Sequence, residues 1–247
     1  MAKLLMIVSS ARTIRLADGS DHPTGYRAEE VRKPYETFVA AGVDVVIATP
    51  DGRVPRPDPW GLEPFFHYPQ VDEDFMFSVL RRFAYHPDRV RVTFTHFSEL
   101  NLVAIRRVYR GLLDAGMEPA EARKAVESAA PMPVGTRLRL VHGAGKPVAA
   151  LCHGPAALLS APQADGAWMF DGYRMTAFTD EEEDQTKAGK IGMPWYVEAA
   201  LKNRGAIFDD GDAAWVSHVV VDRNLITGQN PGSAEAAAGA LLKRLRA

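Results

Sequence analysis

One cysteine in 247 residues, Cys152, rules out an internal disulfide and fits a reducing, cytoplasmic setting. Charge of one sign is also missing. A formal net charge of -2 offers no electrostatic reason to bind nucleic acid or an anionic membrane. Long apolar runs are absent too. The first, Leu4-Leu5-Met6-Ile7-Val8, is too short for a signal-peptide core or a membrane span and reads as a buried strand. His22, His67, His86, His96 and His142 show no metal-ligand spacing, so no structural metal is expected. The carboxylate run Asp180 to Asp184 lacks the EF-hand pattern that calcium would require. No internal repeat, low-complexity tract or flexible linker interrupts the chain, and residues 1–247 are expected to form one domain.

The chain does show an alternation of strand and helix. After the first strand and a polar loop, Val31, Tyr35, Phe38 and Val39 recur at helical spacing over 28–41, with Gly42 as the stop. Val43 to Ala48 is a second β-branched run, closed by Pro50-Asp51-Gly52. Residues 53–74 are rich in proline and aromatics and read as an irregular excursion. Helices are expected over 75–85, 99–115 and 119–129. Strand 147–151 leads into a helix starting at Gly154. A short strand over 174–178 and a helix over 195–203 come next. Strands 219–221 and 225–227 flank a tight turn, and a final helix runs over 233–245 with Ser233 as its N-cap. This order predicts an α/β fold: a flavodoxin-like three-layer sandwich with a mostly parallel central sheet.

The sharpest chemical signal is Ala149-Ala150-Leu151-Cys152-His153-Gly154-Pro155. An apolar strand delivers a thiol to a tight turn, and Pro155 pre-sets the first turn of the helix after it. That is the logic of a nucleophile elbow, with the side chain presented beside a helix N-terminus. The helix dipole and free N–H groups there are expected to lower the Cys152 pKa, and the adjacent His153 is a candidate proton carrier.

Cys152-His153-Gly154-Pro155 resembles the nucleophile region of the DJ-1/PfpI superfamily, and in particular its Hsp31-like branch. The similarity extends to Thr24-Gly25-Tyr26 with Glu29-Glu30 and Pro34-Tyr35, to the stretch 42–52, and to Pro57-Asp58-Pro59. It continues through Ala177-Phe178-Thr179-Asp180-Glu181-Glu182 to Thr227-Gly228-Gln229-Asn230-Pro231-Gly232-Ser233, together covering most of the chain. The resemblance implies a site of Cys152, His153, Glu30 against the thiol and Asp180 as the acid near the histidine. It implies a glutathione-independent glyoxalase or deglycase converting 2-oxoaldehydes such as methylglyoxal to hydroxy acids without a cofactor. Its partners would be a small 2-oxoaldehyde or a glycated protein, in a homodimer. A stress chaperone or redox sensor with little turnover is the other role the branch allows. Glutamine hydrolysis fits less well, because its machinery spaces cysteine and histidine apart.

One departure stands out. The family's strand ending in Pro-Gly-Gly-His, which supplies oxyanion donors, has no counterpart: the chain contains no Gly-Gly. Residues 107–130 read as Arg- and Ala-rich helix, with Glu127-Ser128-Ala129 in the expected place. The divergent segment spans about 85–145. Lost chemistry, a substitute strand at Val90 to Phe94, and a locally altered reading frame are the three explanations.

Overall fold

The computed structural model describes residues 2–49, 54–59, 118, 134–161 and 167–246. The expected helices over 75–85, 99–115 and 119–129, the candidate strand at Val90 to Phe94, and Glu127-Ser128-Ala129 lie outside the described residues. So does most of the excursion over 53–74.

Strand β1 (Lys3–Ile7) and β4 (Asp44–Ala48) pair in parallel, Leu5 opposite Val46, with helix α1 (Ala28–Ala40) between them in sequence. This is the expected βαβ unit. The polar loop after β1 is more ordered than its composition suggests. It carries an antiparallel hairpin, β2 (Thr13–Arg15) with β3 (Asp21–Pro23), whose tip is closed by Asp18 accepting from the Ser20 backbone at 2.8 Å. In α1 the buried positions Ala28, Val31, Pro34 and Phe38 form one stripe, and Gly42 leaves the helix at φ +75°. Pro34 has no N–H to give the Glu30 carbonyl one turn back, so that carbonyl lacks its usual intrahelical donor.

The second half is built on β5 (Val148–Leu151), parallel to β9 (Leu225–Gly228), which β8 (Val219–Asp222) joins antiparallel. A smaller parallel pair is β6 (Arg174–Met175) with β7 (Ile207–Phe208). The strand expected over 174–178 is therefore shorter than its apolar pattern suggested. Helices α2 (Val134–Gly143), α3 (Asp180–Gln185), α4 (Lys187–Ile191), α5 (Val197–Asn203) and α6 (Ala234–Arg246) complete the described elements. The last helix is preceded by a 3-10 turn, Pro231–Ser233. Asn230 is the N-cap of that turn, and its side chain and that of Ser233 form a capping box.

Strand β9 shows the layering. Leu225 packs into a cluster with Leu158, Phe170, Met175 and Leu201, and the next residue, Ile226, packs into another with Phe38, Ala237 and Leu241. Successive strand residues point to opposite faces, so both faces of β9 are covered, as in a three-layer α/β sandwich. Gly25 fixes the approach of the 54–59 segment. A side chain there would run into the main chain of Arg56, Pro57 and Asp58, and this closeness lets Tyr26 donate to the Arg56 carbonyl at 3.0 Å just before α1.

Candidate active site

Strand β5 ends at Leu151, and Cys152 turns the chain with φ +56°, a left-handed conformation that costs energy for any residue with a Cβ. Two backbone bonds hold the strain: Cys152 N–H donates to Gly228 at 2.8 Å, and the Phe178 N–H donates to the Cys152 carbonyl at 2.9 Å. The segment after it is a 3-10 helix, Gly154–Ser160, rather than the expected α-helix. A sharp turn does deliver the thiol, but behind it stand seven 3-10 residues in place of an α-helix.

Cys152 is 3% exposed. Its Sγ lies 3.3 Å from His153 Nδ1, and His153 Nε2 lies 2.6 Å from Glu183 Oε2. A carboxylate only accepts, so the N–H belongs on Nε2, and Nδ1 turns its lone pair toward sulfur. The imidazole stacks on Phe178 with ring centroids 4.6 Å apart. From α1, Glu30 bonds to the thiol, while its Oε1 is buried with no hydrogen-bond partner among the described residues. Burial pushes the Glu30 carboxyl up to about 7, against the opposing pull of the thiol hydrogen bond and of the His153 and Arg27 charges.

The thiol pKa is raised, not lowered as expected from the helix terminus. Burial contributes most, then the facing Glu30 charge and hydrogen bond; Arg27 and the His153 backbone N–H act in the opposite direction. Desolvation and a like charge outweigh a short helix terminus.

The acid on His153 also differs from expectation. Asp180 does not face the imidazole. Its backbone N–H donates to Glu198 at 2.7 Å, and its carboxyl accepts from Ala199 N–H in the first turn of α5. Burial and the neighbouring Glu198 raise its pKa. Glu183, one turn further along α3, reaches His153 instead. A signal for this was present in the sequence: Thr179-x-x-Glu182 is a capping box, with Glu182 N–H donating to Thr179 Oγ1 and Thr179 N–H to Glu182 Oε2, both at 3.1 Å. The box makes Asp180 the first helical residue and occupies Glu182, leaving Glu183 to turn inward.

Two predictions arise from this geometry. A carboxyl near 4.5 when unfolded and about 7 when folded binds its proton more tightly in the fold. Its contribution to stability is complete below pH 4.5 and is lost as pH rises through 7, by up to about 3 kcal/mol. Urea unfolding at pH 5 and pH 8 therefore shows a loss in the wild type that Glu30→Gln does not share. The second prediction concerns Gly189, whose N–H donates to Thr186 Oγ1 at 2.8 Å, the N-cap of α4. A Cβ there would overlap the Glu183 carbonyl. Gly189→Ala is expected to cost about 1–3 kcal/mol in denaturant unfolding and to displace Glu183 from His153.

Among the described residues, no group of three or more His, Cys, Asp or Glu converges to hold a metal ion, and no helix is long and apolar enough to cross a membrane.

A family model described as the DJ-1/PfpI family matches residues 123–244, a span that carries Cys152, His153 and Glu183. The chain belongs to the DJ-1/PfpI family. Within it, the Hsp31-like branch is indicated by the protein/nucleic acid deglycase HchA of Escherichia coli O157:H7, 27% identical over 95% of this chain and 77% of that protein. The human glutamine amidotransferase-like class 1 domain-containing protein 1 is 40% identical over 96 residues, 39% of this chain; the matched stretch spans 43% of that relative's length. The fold is that of the Francisella tularensis rapid encystment protein of 24 kDa, with TM-score 0.67, 19% identity and 99% of each chain covered. Glyoxalase III from Candida albicans shares it, with TM-score 0.61, 21% identity, and 98% of this chain and 97% of that chain covered. The flavodoxin-like α/β architecture expected of this DJ-1/PfpI chain is thus the observed one.

Proposed function

We propose that the protein is a cysteine-dependent, glutathione-independent enzyme of the glyoxalase or deglycase type, converting 2-oxoaldehydes such as methylglyoxal to hydroxy acids. The observation that carries this reading is the continuous line from Glu30 through Cys152 Sγ and His153 to Glu183, joined by the Glu30–thiol hydrogen bond and contacts of 3.3 and 2.6 Å. The deglycase named among the relatives, alignable over 95% of this chain, supports the same class.

In this mechanism the thiol and the Glu30 carboxyl share one proton. When the proton is on Glu30, sulfur is a thiolate held by the Glu30 O–H and the His153 backbone N–H, with the Arg27 charge nearby. The thiolate attacks the aldehyde carbon, forming a C–S bond, and the carbonyl oxygen takes a proton to give a hemithioacetal. His153 removes the hydrogen from that carbon as a proton, giving an enediol, and returns a proton to the neighbouring carbon. The former aldehyde carbon is now oxidised to a thioester and the former ketone reduced to an alcohol, with no external oxidant. Water cleaves the thioester, releasing lactate and the thiol. Glu183 keeps the imidazole in the tautomer that accepts at Nδ1. A thiol on a residue only 3% exposed favours a small free aldehyde over one carried on a protein side chain.

The test is to incubate purified protein with methylglyoxal without glutathione and measure both substrate and lactate. The reading requires one lactate per methylglyoxal over many turnovers. Consumption that stops at one equivalent without lactate would replace it with a scavenging or sensing thiol.

A further inference from the structure

The Thr227-Gly228-Gln229-Asn230-Pro231 signature takes no part in the chemistry above, yet Gln229 and Asn230 are 0% exposed. Both point at a third fully buried polar side chain, Glu182. Its Oε1 accepts from the Trp215 backbone N–H at 2.6 Å, Asn230 Nδ2 at 2.8 Å and Gln229 Nε2 at 3.1 Å. Its Oε2 accepts from Thr179 N–H at 3.1 Å. Four neutral donors thus converge on one buried carboxylate, the residue immediately before Glu183.

Trp215 is bound by this carboxylate in a left-handed conformation, φ +66°. Its indole N–H also reaches Gln185 at 2.6 Å in the same short helix. Its ring meets Phe178 edge-on with centroids 5.4 Å apart, and Phe178 carries the stacked His153 ring. Glu182 therefore governs the imidazole by two routes. One is the helical turn that presents Glu183; the other is the Trp215–Phe178 packing beneath the ring.

We infer that Glu182 is a positioning residue for the His153–Glu183 pair, and that the Gln229-Asn230 signature exists in this chain to hold that carboxylate. Glu182 touches neither thiol nor substrate; it sets the acid that sets the base. An amide at this position keeps the shape but cannot accept from all four donors, because its NH2 faces a donor whichever way it is turned.

The kinetic arm of the test rests on the glyoxalase-type reading; the alkylation arm does not. Glu182→Gln, Glu183→Gln and the double variant are compared for methylglyoxal turnover, and for the rate of Cys152 alkylation by iodoacetamide from pH 5 to 9. Glu182→Gln is expected to lower kcat about 10-fold with KM changed less than about threefold, and to displace the pH profile in the same direction as Glu183→Gln. In the double variant its effect disappears, leaving the Glu183→Gln value. Multiplying effects, or an unchanged pH profile, would reduce Glu182 to a structural residue and overturn the inference. If the wild type makes no lactate, the proposed function fails while the same cycle is still read in the alkylation rates. If Glu182→Gln does not fold, Gln229→Met, which removes one donor, carries the test. It must shift kcat or the alkylation rate by about threefold in the same sense, and lose that effect in the Glu183→Gln background.

Discussion

Cys152→Ala is expected to reduce lactate formation from methylglyoxal by about a thousandfold or more, to the uncatalysed level, while leaving the fold intact. The loss is large because no other nucleophile sits at the elbow: the chain has one cysteine, and the imidazole beside it is directed at that sulfur. The fold survives because the strained turn is held by its backbone. The bonds of 2.8 Å to Gly228 and 2.9 Å from Phe178 do not involve the side chain, and alanine meets the same φ penalty as cysteine. The variant also loses the thiol hydrogen bond that pulls the Glu30 pKa down, so Glu30 binds its proton more tightly than in the wild type. Circular dichroism and urea unfolding beside the lactate assay separate lost chemistry from lost structure. A variant that folds and still turns over would remove Cys152 from the mechanism.

Glu183→Gln is expected to lower kcat by about 100-fold or more, whereas Asp180→Asn changes it by less than about threefold. An amide can present its NH2 to His153 Nε2, which selects the tautomer with the hydrogen on Nδ1 and removes the lone pair facing sulfur. Asp180 holds the first turn of α5 through Ala199 N–H, so its loss bears on the packing of that helix and not on the imidazole. The contrast is sharp because the two acids are three residues apart in a run of five. A large loss in Asp180→Asn with near-normal activity in Glu183→Gln would invert the assignment.

How far the sequence revealed this site depends on which forces act locally. The β1–α1–β4 unit and the Cys152 turn were legible because their patterns are complete in a few residues: Val43 to Ala48 for the strand, Val31 to Phe38 for the helix, Cys152 to Pro155 for the turn. The resemblance supplied Glu30, which periodicity alone could not separate from Glu29. In the structure, Glu29 pairs with Lys33 within the helix while Glu30 reaches the thiol. The hairpin of β2 and β3 was hidden because its residues are polar and its order comes from turn chemistry around Asp18. Helix α2 lies in the divergent segment, beyond the last helix expected there. The direction of the Cys152 pKa is not legible in the sequence because desolvation is a tertiary property: the helix end can be read there, but the burial that opposes it cannot. Asp180 and Glu183 are chemically similar in a list of residues. Only the capping box gives the helix phase that tells them apart.

Every chemical step of the proposed reaction depends on a covalent bond to Cys152. The most direct measurement of that bond is acid quenching during methylglyoxal turnover, with mass spectrometry of the peptide carrying residue 152. This peptide is expected to become heavier by one methylglyoxal while substrate lasts, to return to its original mass when substrate is exhausted, and to show no adduct in Cys152→Ala. Sustained lactate formation with the Cys152 peptide unmodified throughout would rule out the covalent route.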